Sequence, residues 1–350
     1  MITEHCLCMM DYVVLVETTM SNVSSDYQFD LRNDSLSEDV YLQIFLWVLC
    51  IVTVLGNVLV IATFIREKEL RSKVSNLYIL NLSVADLFVG IIVISSFNID
   101  LTMNLSDNAC KFKIIMDFST CSVSVWAVVL ISHDRYVLVT KGLKYGQFQT
   151  YRKCVITCLI TWFVSYARYI GTFVVYDLVV ATSTIHTSGY CNHEVLQKSP
   201  FIVYDLITSY AIPVIFNTYF NARLYGNIRK RSRGLPRNWA AVEPQEDINN
   251  RSEVTAANPP IRRDGTNDFH KHRRAAITLG LLVGVSSLCW VPYYTIVFLE
   301  IIADVPISNT VYTTAQYVFF GNSAINPLLY VATNPRIRNS MVKMFYVFKR

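Results

Sequence analysis

Charged side chains are scarce in this chain, and several sit inside long apolar runs. Asp86 closes Leu82–Ser83–Val84–Ala85–Asp86, Asp117 and the triplet Asp134–Arg135–Tyr136 share one run, and Arg168, Asp205 and Glu300 each interrupt another. An ionisable group in a hydrocarbon setting is costly, so it marks a functional candidate. Such acids can relay protons, hold a cation or pair with an ammonium. Arg168 and Glu300 fall toward the ends of their runs and are expected to reach water. Asp117 is read as having no lysine partner in any run, which leaves it available to a cationic ligand. Catalytic and metal signatures are missing: there is no HExxH, CxxC or GxSxG,. The six His are mostly in polar stretches, and His270 and His272 stand in a basic one where solvation is expected. The expectation is therefore no metal, no enzyme and no catalytic residue.

The elements that must position these groups can be read from composition. Of 350 residues 53% are hydrophobic and only 16% charged, against about 25% charged in soluble domains. That excludes a soluble fold and intrinsic disorder, and nine cysteines are too few for a disulfide scaffold,. Seven runs have the roughly 20 apolar residues a spanning helix needs: Val40–Ile65, Leu77–Leu101, Cys110–Val139, Cys154–Tyr176, Phe201–Tyr225, Ala275–Ile302 and Val311–Thr333. The fold class is an all-α membrane protein, a seven-helix transmembrane bundle. On the third helix Cys110, Asp117, Cys121, Ser124 and Arg135 share a face. Asp117 and Arg135 lie five turns apart, about 27 Å at 1.5 Å per residue. One rod thus presents a carboxylate near one end and a guanidinium at the other, which suits coupling across a lipid bilayer.

Charge sets the orientation. Met1–Asp39 holds a single base, Arg32, against eight acids, whereas Arg229–Arg274 holds eleven bases and the tail after Asn334 five. Bases also gather at Arg66–Lys73 and Lys141–Lys153, so alternate gaps are basic. By the positive-inside rule the N-terminus is extracellular and the tail cytoplasmic. A nucleic-acid surface would not skip every second gap, so no nucleic acid is expected despite the net charge of +5. Residues 1–39 form an extracellular tail, with glycosylation sequons at Asn22, Asn33 and, in a later outer loop, Asn104. Residues 40–333 form the bundle, of which 229–274 is read as a mobile third cytoplasmic loop. In 334–350, Ile337, Met341, Met344, Phe345 and Phe348 recur at helical spacing among bases, the pattern of an amphipathic helix lying on the inner membrane surface.

Taken in order, Gly56–Asn57, Leu82–Asp86, Cys110 with Cys191, Asp134–Arg135–Tyr136, Trp162, Pro213, Cys289–Trp290–Val291–Pro292 and Asn326–Pro327–Leu328–Leu329–Tyr330 resemble the rhodopsin-like G-protein-coupled receptors over nearly all of Val40–Phe345. Within that family the chain is most similar to the aminergic group, histamine receptors above all. The resemblance implies a multi-pass plasma-membrane receptor whose partners are a small amine ligand, a heterotrimeric G protein and the bilayer, with no cofactor beyond a possible allosteric Na⁺. It implies a ligand site of Asp117, Cys121, Asp205, Ser209, Trp290, Tyr293, Tyr294, Tyr317 and Phe320. Asp117 would take the ammonium, and the acid–hydroxyl pair Asp205 and Ser209, one turn apart, the far end of the ligand. It further implies a sodium site of Asp86, Ser124, Asn322 and Asn326, an inner switch of Asp134, Arg135, Tyr136, Asn326 and Tyr330, and a Cys110–Cys191 disulfide.

Histamine is the first ligand expected, with a diamine, a trace amine or acetylcholine as alternatives. A transporter using Asp86 and Asp117 is the rival class, and the lack of internal repeats weighs against it. Ser286, Asn221, Tyr317, Phe320 and the lack of an outer proline in the fourth run depart from the family pattern.

Overall fold

The computed structural model describes residues 25–96, 106–180, 199–233, 284–300, 303 and 305–347. The described elements are helices throughout. Helix α1 is Ser25–Arg66, beginning well before the expected Val40. Helix α2 is Val74–Phe88, running on through a π-helical segment, Val89–Ile94. Helix α3 is Asp107–Lys141 and α4 is Tyr151–Val180. Helix α5 joins Ser199–Asp205, a second π-helical segment, Leu206–Ala211, and Ile212–Arg233. Helix α6 is described over 284–300, α7 is Asn309–Thr333 and α8 is Pro335–Val347. The chain divides into two compact units, Met1–Val48 and Leu49–Arg350. The second carries every contact described below.

Five of the described helices are long and apolar enough to cross a membrane: Gln43–Arg66, Val74–Ile94, Asn108–Lys141, Tyr151–Leu178 and Pro200–Arg229. Two more spanning runs were expected, one overlapping the shorter described stretch of α6 and one in α7, which carries Asn309, Thr310, Thr313, Thr314, Gln316, Asn322 and Asn326 among its apolar residues. Residues 229–274 were expected to form a loop, but Arg229–Arg233 continue α5; the rest of that segment, and the sequons at Asn22 and Asn104, lie outside the described residues. Asn33 falls within α1.

Helix ends obey local chemistry. Ser308 caps α7 by accepting the Val311 N–H at 3.4 Å,. Asn334 caps α8, its Oδ1 accepting the N–H groups of Arg336 at 3.1 Å and Ile337 at 3.4 Å. Pro335 then opens that helix where a missing N–H costs nothing. Helix α3 stops at Gly142, whose φ of 52° is a conformation L side chains rarely adopt,.

Helix α3 is the interior rod. Its most apolar stretch is 61% buried, against 17% for α4, and it packs against α2, α4 and α5. The outward residues of α4, such as Leu159 and Phe163, are strongly exposed, as a lipid-facing stripe would be. Polar ties cross the seams. The Trp162 indole donates to Asn81 at 3.0 Å, Ser132 to Asn217 at 2.9 Å, and Asn57 to the Ser323 carbonyl at 3.1 Å. Where α1 meets α7, a Cβ at Gly56 would stand 3.0 Å from Pro327 Cγ, so only glycine allows this approach without displacement.

Candidate functional site

The polar groups fall into clusters along α3. Nearest its start, Asp117 accepts Ser96 Oγ at 3.2 Å and Lys113 Nζ at 3.0 Å. The expectation that Asp117 lacks a lysine partner is therefore corrected. Lys113 stands one turn earlier on the same helix, and the two side chains are only 11% and 17% exposed. Ser96 reaches Asp117 from just past the π-helical segment of α2, where the wider turn re-aims the end of the helix,. Cys110 is disulfide-bonded, and Cys191 lies outside the described residues. Lys111 pairs with Asp177 of α4 at 2.8 Å.

A second cluster joins α3, α4 and α5. Asp205 accepts the Tyr169 hydroxyl at 2.5 Å and the Ser209 hydroxyl at 2.8 Å, with Arg168 Nη2 at 3.9 Å. Arg168 donates to Ser122 at 3.1 Å, Ser209 at 2.8 Å, Tyr169 at 2.5 Å and also to Thr208. Its guanidinium lies 4.3 Å from the Tyr169 ring centre. Arg168 was expected to reach water. Instead its side chain is 11% exposed and is spent on α5. Asp205 and Ser209 do come together as their spacing predicts, Asp205 just before the π-helical segment and Ser209 within it, but Tyr169 and Arg168 complete the set.

Aromatic residues border this half of the bundle. The Tyr294 ring stacks on Tyr210 of α5 at 4.5 Å and meets Tyr293 edge-on at 5.3 Å. The Tyr293 hydroxyl lies 3.5 Å from that of Tyr312. Trp290, Tyr317 and Phe320 are buried. Cys121, Ser124, Trp290, Phe320, Asn322 and Ser323 share a small cavity, so residues expected of the ligand site and of the sodium site face one space.

At the third cluster Asp86 is fully buried. It accepts Ser124 Oγ at 2.7 Å, Ser323 Oγ at 2.8 Å and Asn326 Nδ2 at 2.7 Å. Ser323, which no sequence motif marks, takes the place expected of Asn322. The Asn322 and Asn326 Oδ1 atoms are buried without a hydrogen-bond partner among the described residues. A carboxylate, two hydroxyls and two orphan amide oxygens form an all-oxygen donor set, which suits a hard cation. Among the described residues no group of three or more His, Cys, Asp or Glu could hold a metal.

The fourth cluster is toward the C-terminal end of α3. Asp134 accepts the Tyr145 hydroxyl at 2.6 Å, and Tyr145 also meets Ser75 Oγ at 3.0 Å. Burial, reinforced by the Asp134 carboxylate, pushes the Tyr145 hydroxyl upward, which keeps it a protonated donor. Arg135 Nη1 lies 4.0 Å from Asp134 Oδ2. Tyr136 packs on Phe220 at 5.8 Å. Asn326 and Tyr330, the other residues expected of the inner switch, belong to α7. Asn326 serves Asp86, and the buried Tyr330 hydroxyl has no hydrogen-bond partner among the described residues.

The family model described as "7 transmembrane receptor (rhodopsin family)" matches residues 56–330. The chain is 26% identical over 292 residues to "Trace amine-associated receptor 365" of Petromyzon marinus, covering 83% of this chain and 75% of the relative. It is 25% identical to the human "Histamine H4 receptor", covering 91% and 95%, and 25% identical to the "Alpha-1A adrenergic receptor" of Rattus norvegicus, covering 87% and 68%.

Proposed function

Because the chain belongs to the rhodopsin family of seven-transmembrane receptors, and is a multi-pass membrane receptor rather than an enzyme, we propose that it receives a small ring-bearing amine at the plasma membrane and activates a heterotrimeric G protein. The observation that carries this is the largely buried Asp117 carboxylate, held near the start of the same helix that carries Arg135 at its inner end. The ligand's ammonium pairs with Asp117. The rings of Trp290, Tyr293 and Tyr294, with Tyr317 and Phe320 from α7, supply apolar and cation-attracting faces. Cys121 lies one turn below. Agonist binds one bundle arrangement better and shifts the population toward it.

Histamine stands first among ligands. Its receptors are among the relatives, and Asp205 with Ser209 offers an imidazole an acceptor beside a hydroxyl,. Trace amines come second. A diamine falls behind, because Arg168 already counters the Asp205 charge and a second ammonium would meet the guanidinium. Acetylcholine comes last, having no use for a second acid.

The N-terminus is extracellular, with sugars on Asn22, Asn33 and Asn104. A Cys110–Cys191 disulfide ties the outer loop to α3. Asp86, Ser124, Asn322 and Asn326, joined by Ser323, hold a weakly bound Na⁺ that favours the resting state. Asp134, Arg135, Tyr136 and Tyr330 work the inner switch.

The test is G-protein activation in cells under a panel of monoamines and diamines. Asp117→Asn should lower amine potency ten- to a hundredfold, a loss of about 1.5–3 kcal/mol for one charge-assisted bond. Unchanged potency in that variant would move the ammonium site elsewhere.

A further inference from the structure

Arg168 gathers hydroxyls from three helices. It donates to Ser122 of α3 at 3.1 Å, Tyr169 of α4 at 2.5 Å and Ser209 of α5 at 2.8 Å, and also to Thr208. A guanidinium has donors only, while a hydroxyl has one proton and two lone pairs. Each of these hydroxyls must therefore turn a lone pair toward Arg168 and send its proton elsewhere. Tyr169 and Ser209 both donate to Asp205 Oδ1, at 2.5 and 2.8 Å. Thr208 donates to the Tyr204 carbonyl at 2.8 Å, and Ser122 to Ser165 at 3.3 Å. The Tyr169 and Ser209 oxygens also lie 3.0 Å apart, and a proton shared between them stays within the set.

Asp205 is served on one side only. Both hydroxyls and the guanidinium approach Oδ1. Oδ2 takes no hydrogen bond from the described residues, and the side chain is 14% exposed. Arg168 Nε also lacks a partner among the described residues, but that atom is buried. The Asp205 charge is felt at Cys121, Tyr293 and Tyr294, three residues expected of the ligand site. A group arriving from there meets an open acceptor and no hydroxyl free to donate. A neutral N–H or O–H finds Oδ2. An ether oxygen or a fluorine finds no hydroxyl proton. A second ammonium meets a guanidinium 3.9 Å from the same carboxylate, and like charges repel strongly where water is scarce.

Resting on the assignment of Asp117 as the ammonium's partner, we infer that the far end of the ligand is a single neutral N–H or O–H donor taken by Asp205 Oδ2, and that Arg168 is the positioning residue that enforces this. Arg168 does so by committing the surrounding hydroxyl protons to the protein and by holding a positive charge beside the carboxylate. It touches no ligand atom itself.

The experiment uses the full chain in cells, with a G-protein readout normalised to surface expression. Matched monoamines that differ by one ring donor are compared: tyramine with 4-fluorophenethylamine, histamine with its ring-N-methyl derivative lacking the N–H, tryptamine with 1-methyltryptamine. In at least one pair the donor-bearing member should be the more potent by about tenfold or more, as one hydrogen bond to a charged acceptor gives. Arg168→Met should raise the potency of 1,5-diaminopentane relative to that monoamine by at least about tenfold, because the unscreened Asp205 now accepts an ammonium. Arg168→Lys keeps the charge and should keep the diamine weak. A purely structural role for Arg168 lowers every potency together and does not reorder the ligands. If Arg168→Met does not reach the surface, Arg168→Gln is read in its place, and if neither does, the matched pairs on the unaltered receptor decide.

A ratio under tenfold in every responding pair overturns the inference and leaves the amine reading standing. So does an Arg168→Met receptor whose order of ligands is unchanged. Silence of every compound on the receptor and on the Arg168 variants overturns the amine reading itself, and the inference with it.

Discussion

Asp205 is held by Tyr169, Ser209 and Arg168, so removing its charge acts on the protein before it acts on any ligand. Asp205→Asn leaves a guanidinium buried without its counter-charge, a defect worth about 3–5 kcal/mol. The variant should show a lower melting temperature in detergent and reduced surface expression. The double variant Arg168→Met/Asp205→Leu should recover most of that loss, since a well-packed apolar pair often replaces a buried ion pair at no cost. If Asp205→Asn melts like the unaltered chain but loses potency for ring-bearing ligands alone, Asp205 acts through the ligand and not through the α4–α5 seam. Lys113 makes the complementary point. A base four residues before an acid on one helix is legible from spacing alone. It escapes a search for partners that looks only to other helices.

At the scale of elements, one tight joint is between α1 and α7. Gly56→Leu would drive a branched side chain into Pro327, whose Cγ is already 3.0 Å from where a Cβ would stand. Overpacking of this kind costs about 1–3 kcal/mol, partly offset by roughly 1 kcal/mol from replacing a helical glycine. Thermal unfolding of purified receptor should show a net destabilisation, and Gly56→Ala should sit near neutrality. The spans were legible because apolar runs bounded by charge have a clear length signature, and Ser308, Asn334 and Pro335 mark helix starts by residue type alone. The π-helical segments Val89–Ile94 and Leu206–Ala211 were not legible. A change in residues per turn leaves no compositional mark in Val-Gly-Ile-Ile-Val-Ile. Yet these segments carry α2 on to Ser96 and place Ser209 within the widened turns that follow Asp205. Arg168 was misjudged for a related reason. Its distance along α4 placed it near an end, but the rotation of α4 turned it inward, and rotation is decided by packing against α3 and α5.

For the whole molecule, the Asp86 cluster sits at the meeting of α2, α3 and α7, where a bound cation would tie all three. Replacing sodium by a bulky organic cation in the assay buffer should raise agonist affinity several-fold. Asp86→Asn should erase that dependence, and an affinity indifferent to the cation in the unaltered receptor would remove Na⁺ from the account. Helix α3 has a further property: its two functional ends are locked in phase. With 3.6 residues per turn, one residue inserted between Val125 and Trp126 would rotate everything beyond it by about 100° and advance it by about 1.5 Å. Asp117 would still face its ligand, while Asp134 would be swung away from Tyr145. Radioligand binding should then survive in a receptor that no longer signals, although every side chain of both ends is still present.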